Sequence, residues 1–242
     1  MHPVRIALAS ICAATSLSAH ALVTVWDGSS NLMPDEVDTN WALIDEGGGS
    51  PSLADGVLTI QTSGGHSARQ FYQMTATDFS AGAPFWMEAE MKFVSGSQTA
   101  GWWRAGGHMS IRNNGKFAIL EIRNDLIYLR DGDNSRSVQA VVDTNDDFHV
   151  YKLEVLGNAS DSLVNVYQDG NLVLSDASLY GAAATGGSVT FGEASTLATG
   201  TTLWKRVSHN VAAVAVVPEP ETYALMLAGL GLIGLAAARR NR

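Results

Sequence analysis

The stretch Phe148-His149-Val150-Tyr151-Lys152-Leu153-Glu154-Val155, followed by Val164-Asn165-Val166-Tyr167-Gln168-Asp169-Gly170-Asn171-Leu172-Val173-Leu174, decides the fold of this chain. Residues 148–156 read as one strand. Residues 163–168 and 172–175 read as two more, joined at Asp169-Gly170-Asn171. Asp-Gly suits a tight hairpin turn because both residues tolerate the positive φ such turns require. Upstream, Phe85, Met87, Ala89, Met91 and Phe93 alternate with Trp86, Glu88, Glu90 and Lys92. A period of two marks a strand with one buried face.

Further strands are expected at residues 56–62, 108–112, 116–123, 126–130, 188–191 and 202–207. Turn signals at Asp55-Gly56, Asn113-Asn114-Gly115 and Asn124-Asp125 punctuate them. The region between the termini shows no amphipathic helical stretch of convincing length. Many short strands in one domain mean an all-β sandwich or barrel. The hairpins and regular turn spacing favour two stacked antiparallel sheets. The lack of an internal repeat argues against a propeller or solenoid.

The residue 148–155 strand and the hairpin after it resemble the late strands of concanavalin A-like, laminin-G-like jelly rolls. Trp41, the segment 55–60 and Leu203-Trp204-Lys205-Arg206-Val207 fit the same layout. The resemblance implies an all-β, two-sheet antiparallel jelly-roll sandwich over roughly residues 22–210. It supports a fold rather than a function.

The two ends read as addresses. Arg5 precedes an apolar stretch from Ile6 to about Leu17, and Ala19-His20-Ala21 has the small-x-small form of a signal-peptidase site. Residues 1–21 are therefore expected to be a signal peptide, with cleavage after Ala21. Cys12 is the only cysteine and would leave with it, so the exported domain must rest on its core without disulfides. At the other end, 211–217 reads as a linker. Val217-Pro218-Glu219-Pro220 then precedes an uncharged apolar run over 222–238 and the basic stop Arg239, Arg240 and Arg242. The run lies at the short limit for spanning a bilayer, and the arginines place that end in the cytoplasm. This order of parts, over 218–242, resembles the PEP-CTERM sorting signal. The resemblance implies a Gram-negative bacterium that makes exopolysaccharide. It also implies a transient stay in the inner membrane and recognition by an exosortase, a membrane cysteine peptidase that cuts near the Pro-Glu-Pro.

The formal net charge of the chain is −9. Setting aside Arg5, Arg239, Arg240, Arg242, Glu219 and Glu221 leaves a central domain of roughly −11. Such a surface is a poor partner for nucleic acid, and neutral glycans and divalent cations remain open to it.

Sugar binding needs aromatic platforms and placed polar groups. The candidates are Trp86 with Glu88 and Glu90 on its strand, Trp102-Trp103-Arg104 in a glycine-rich loop, and His108, Ser110 and Arg112 at alternate positions. All are expected to line one groove. Glycoside cleavage needs two placed carboxylates. Glu88 and Glu90 share a strand face about 7 Å apart, but the Glu-x-Asp-x-x-Glu-like pattern of glucanases with this fold is missing. No catalytic set is legible, and no cofactor is expected. Asp131 and Asp133 offer calcium-type oxygens, as do Asp143, Asp146 and Asp147, without the spacing of an EF-hand loop. The expectation is an exported, non-catalytic surface or matrix protein that binds glycan or serves structurally. The alternative is a glycan hydrolase or lyase using Glu88 and Glu90.

Overall fold

The computed structural model describes residues 24–46, 49–62, 69–78, 84–98, 106–113, 115–130, 136–157, 162–181, 186–193 and 198–213. The first strands are β1 (Thr24–Asp27), β2 (Trp41–Glu46), β3 (Ser52–Ala54), β4 (Val57–Thr62), β5 (Arg69–Asp78) and β6 (Phe85–Gln98). The middle of the chain gives β7 (Gly107–Asn113), β8 (Lys116–Arg123), β9 (Leu126–Arg130), β10 (Arg136–Ala140) and β11 (His149–Val155). The remainder are β12 (Leu163–Gln168), β13 (Asn171–Ser178), β14 (Tyr180–Gly181), β15 (Gly187–Glu193), β16 (Ala198–His209) and β17 (Ala212–Ala213). The helical content among these residues is one 3-10 turn (Gly28–Ser30) and one α-turn (Pro34–Val37).

The strands form two antiparallel sheets. One runs β13-β12-β11-β6-β16-β4-β3, with β1 paired to β16. The other runs β10-β9-β8-β7-β15-β5-β17, with β14 on β8 and β2 on β5. Successive strands from β4 to β7 alternate between the sheets. The late strand β16 slots between β4 and β6, and β15 slots between β5 and β7. This nested exchange makes the sandwich a jelly roll.

The turns follow from their residues. Asp169 and Gly170 have φ of 51° and 79°, the all-positive pair of the tight hairpin that joins β12 to β13. Between the sheets lies one core. Phe191 is its hub, with ring centroids 5.2 Å from Trp41 and Trp204, 5.5 Å from Tyr72 and 6.1 Å from Trp26. Those rings come from both sheets, and each buried aromatic or aliphatic side chain contributes about 1.5–3 kcal/mol. The buried indole of Trp204 donates to Thr202 Oγ1 at 2.8 Å. Val211 is buried in the core, and β17 pairs with β5. The sheets therefore extend into the start of the stretch read as a linker.

Candidate functional site

The alternation in β6 behaves as its residues dictate. Phe85, Met87, Ala89, Met91 and Phe93 are buried, while Trp86, Glu88, Glu90 and Lys92 stand half-buried on the outer face. There the charges meet opposite charges. Arg206 lies 3.1 Å from Glu88, Lys205 3.4 Å from Glu90, and Lys152 2.7 Å from Glu154. A bulge in β16 between Trp204 and Arg206 turns both cations outward. Lys152 also lies 5.9 Å from the Trp86 ring and 5.4 Å from the Tyr167 ring.

The other sheet is different. Its strands β7, β8, β9 and β15 are buried on both faces. Met109, Ile111, Leu120, Ile122, Ile127, Leu129, Val189 and Phe191 face the core. The alternate positions carry His108, Ser110, Glu121, Tyr128, Arg130, Ser188 and Thr190, also buried. Strand register aligns Gln139, Tyr128, Glu121, His108, Gly192 and Phe71 in one row across the sheet. Exposure is low in the middle of that row, with Glu121 at 1% and His108 at 6%, and Gln139 at its end is exposed. The middle of the row is therefore shielded from solvent.

Glu121 is the centre of this buried row. Arg130 Nη1 donates to Glu121 Oε1 at 3.3 Å. His108 Nδ1 is 3.4 Å from the same oxygen, close enough for charge attraction if the ring is protonated. It is not aligned for a hydrogen bond, so this buried nitrogen lacks a hydrogen-bond partner. Beside them, Tyr180 pairs with Phe117 across β14 and β8, with ring centroids 5.6 Å apart. Arg130 lies 5.8 Å from the Tyr180 ring and Arg112 4.9 Å from the Phe117 ring. Next to His108, Gly192 adopts φ 132°, and a Cβ there would come within 2.7 Å of Phe71 Cα. Only glycine suits that point, because the backbone of β5 packs where a side chain would stand.

A third polar group lies at the rim of the first sheet. His149 Nδ1 is 2.7 Å from Asp169 Oδ2 and Nε2 is 2.8 Å from Asp146 Oδ1. A neutral ring can donate from one nitrogen only, so this arrangement favours the imidazolium. Burial pushes the ring's pKa down, but the hydrogen bonds and charges of Asp169 and Asp146 outweigh it, and the net shift is upward. The hydrogen bond from His149 holds Asp146 below the usual carboxylate range. Asp143, Asp146 and His149 offer ligand atoms within 4.8 Å of one another. Both His149 nitrogens already face carboxylates, and the Asp143 carboxylate accepts from the backbone of Asn145 and Asp146. These contacts are those of a self-satisfied turn.

The residues expected to share a groove are thus divided. Trp86, Glu88 and Glu90 lie on the outer face of one sheet. His108 and Arg112 lie on the outer face of the other. Trp102, Trp103, Arg104, Asp131 and Asp133 lie outside the described residues, as do Ala19, Ala21 and the whole tail from Val217 to Arg242, including the expected membrane helix. No helix among the described residues is long and apolar enough to cross a membrane. Arg130, Phe117 and Tyr180 were not singled out from sequence. Glu121 reads from sequence as part of a solvated strand face, and its 1% exposure corrects that reading. The signal was present, since Glu121 interrupts the apolar run 117–122 and Arg130 ends the apolar run 126–129.

Fold and site together define a jelly-roll sandwich with a buried polar row on the outer face of one sheet. Its destination is written in the tail: residues 216–241 match the PEP-CTERM protein-sorting motif. The chain is an exported exosortase substrate, anchored transiently in the membrane and delivered to the cell surface. No curated protein matches it. Among solved structures, the alginate lyase AlgAT5 of polysaccharide lyase family 7 shares 14% identity at TM-score 0.46, over 74% of this chain and 99% of the lyase. The carbohydrate-binding module CBM66 from Bacillus subtilis shares 14% at TM-score 0.40, over 69% and 92%. An endo-1,3-β-glucanase from Streptomyces sioyaensis shares 14% at TM-score 0.44, over 70% and 88%. Likeness at this level transfers no activity.

Proposed function

We propose that the protein is a non-catalytic component of the cell surface or exopolysaccharide matrix, and that its sandwich binds glycan over the buried polar row of β7, β8 and β9. In this reading residues 1–21 are a removed signal peptide, the sandwich is the working domain, and 218–242 direct sorting. One observation carries it: His108, Glu121 and Arg130 are buried on the face that points away from the core. Burying charge is costly, and these side chains stand outside the apolar core. Ser110, Ser188 and Thr190 add hydroxyls, and Phe117 and Tyr180 add ring faces, which is what a sugar needs.

The test is binding of the full chain to a glycan array, with Arg112→Ala on one face and Trp86→Ala on the other. Loss with Arg112→Ala and retention with Trp86→Ala is the expected result. The reverse pattern moves the site to the β6 face. Binding to no glycan at all overturns the reading in favour of a purely structural module. A reducing-sugar assay runs beside it. Turnover that disappears in Glu88→Gln would overturn the non-catalytic assignment.

A further inference from the structure

We infer that the sandwich restrains its own sorting: the strap of residues 209–213 is docked so close to the Pro-Glu-Pro motif that it must peel away before the exosortase engages that motif fully. The inference goes beyond the glycan reading and rests on the sorting motif at residues 216–241.

The strap crosses from one sheet to the other. His209 ends β16 in the first sheet, buried against Trp41 with ring centroids 5.7 Å apart. Asn210 is clasped to the start of β6. Its backbone N–H donates to the Trp86 carbonyl at 3.2 Å, its Oδ1 accepts from the Trp86 N–H at 2.7 Å, and its Nδ2 donates to the Pro84 carbonyl at 2.8 Å. Val211 is fully buried in the core. Ala212 and Ala213 then pair with Asp78 and Ala76 of β5, in the second sheet. That pairing has nowhere further to run, because β2 holds the same edge of β5 from Met74 onward, starting with Trp41.

Four residues, 214–217, separate Ala213 from Pro218. Fully extended, they let Pro218 stand at most about 18 Å from Ala213. A domain of about 190 residues has a radius of gyration of about 16 Å. The tether is thus hardly longer than the domain's own radius, and an enzyme that closes on the motif meets the sandwich. Extended peptides are commonly read through main-chain hydrogen bonds, and those of 212–213 are committed to β5. The strap is also light enough to open. β17 is two residues long and its register shifts between them, so the burial of Val211 and the Asn210 clasp supply most of the grip. A terminal contact of that size opens locally while the core strands stay folded.

The experiment is a pulse–chase of the full chain in a Gram-negative host that carries an exosortase, with mass spectrometry scoring the loss of Arg242. Val211→Ala removes two buried methyl groups and is expected to be processed roughly tenfold faster. A four-residue Gly/Ser insertion between Ala215 and Val216 lengthens the tether with Val211 in place. It is expected to speed processing and to abolish the effect of Val211→Ala. Asp78→Cys together with Ala212→Cys sets two cysteines at opposed positions of paired strands. Oxidised, this pair is expected to slow processing, and a reductant to restore it. Thermal melts establish that the sandwich folds in each variant, and if Val211→Ala fails to fold, the insertion and the cysteine pair decide. An insertion variant processed no faster than wild type, or an oxidised pair processed at the wild-type rate, overturns the inference and leaves sorting standing. A tail kept by every form, wild type included, overturns both.

Discussion

On the outer face of β6, Glu88 and Glu90 stand half-buried, each beside a cation supplied by the bulge in β16. On the outer face of β8, Glu121 is buried between Arg130 and His108, on a sheet whose buried row also holds a histidine nitrogen without a hydrogen bond. Both faces obey the same alternation and differ in solvent. Exposed pairs lose most of their attraction to water and salt. Buried charges keep it and pay for it in desolvation. The first face is solvated and its pairs are screened, whereas the second keeps its charged groups out of water.

Stability measurements sharpen that contrast, from the largest effect downward. Glu121→Gln leaves Arg130 with a weakened partner in that row and is expected to cost about 3–5 kcal/mol in urea unfolding. A loss below that of Glu88→Gln would break the distinction between the faces. His209 follows, fully buried against Trp41 at 5.7 Å. Burial pushes its pKa down to about 4, with smaller upward pulls from the Val211 backbone and Asp38. The unfolded ring titrates near 6.5. Stability is therefore lost as pH falls from about 6.5 to about 4, by roughly 3 kcal/mol, and His209→Asn should flatten that part of the profile.

Gly192→Ala comes next. Its Cβ would meet backbone atoms of Phe71 and Gln70 at 2.7 and 2.8 Å, at φ 132°. A cost of about 1–3 kcal/mol is expected, together with weaker glycan binding beside His108. His149 has the opposite sign from His209. Its folded pKa is raised, so its contribution is full below about pH 6.5 and fades as pH rises through the folded value. Comparing urea midpoints of the wild type and His149→Asn on both sides of neutrality reads this out. Smallest is Glu88→Gln, expected to change stability by about 0–1 kcal/mol and to vanish in high salt.

The β6 face was legible because its neighbours in sequence alternate and water lies on one side. Residues 148–174 likewise announced strand, turn and strand, and the turn took the positive φ values that Asp169 and Gly170 allow. The buried row was not legible for two reasons. Its strands are buried on both faces, so β8 reads as an almost unbroken apolar run in which Glu121 shows no side. Its pairs are also distant in sequence, with Tyr180 meeting Phe117 and Arg130. Trp86 and His108 were expected to line one groove, as an aromatic platform and a polar group. The connection from β6 to β7 crosses from one sheet to the other and sends them to opposite outer faces.

The place of β16 has a kinetic consequence. It pairs with β1, β4 and β6, strands laid down from residue 24 onward, and β15 closes the other sheet in the same way. The second sheet is not continuous until residues near 193 have arrived, and the first not until those near 209. A chain whose central strands come last has high contact order and folds slowly. Slow closure of this kind suits a chain that must cross a membrane before it folds.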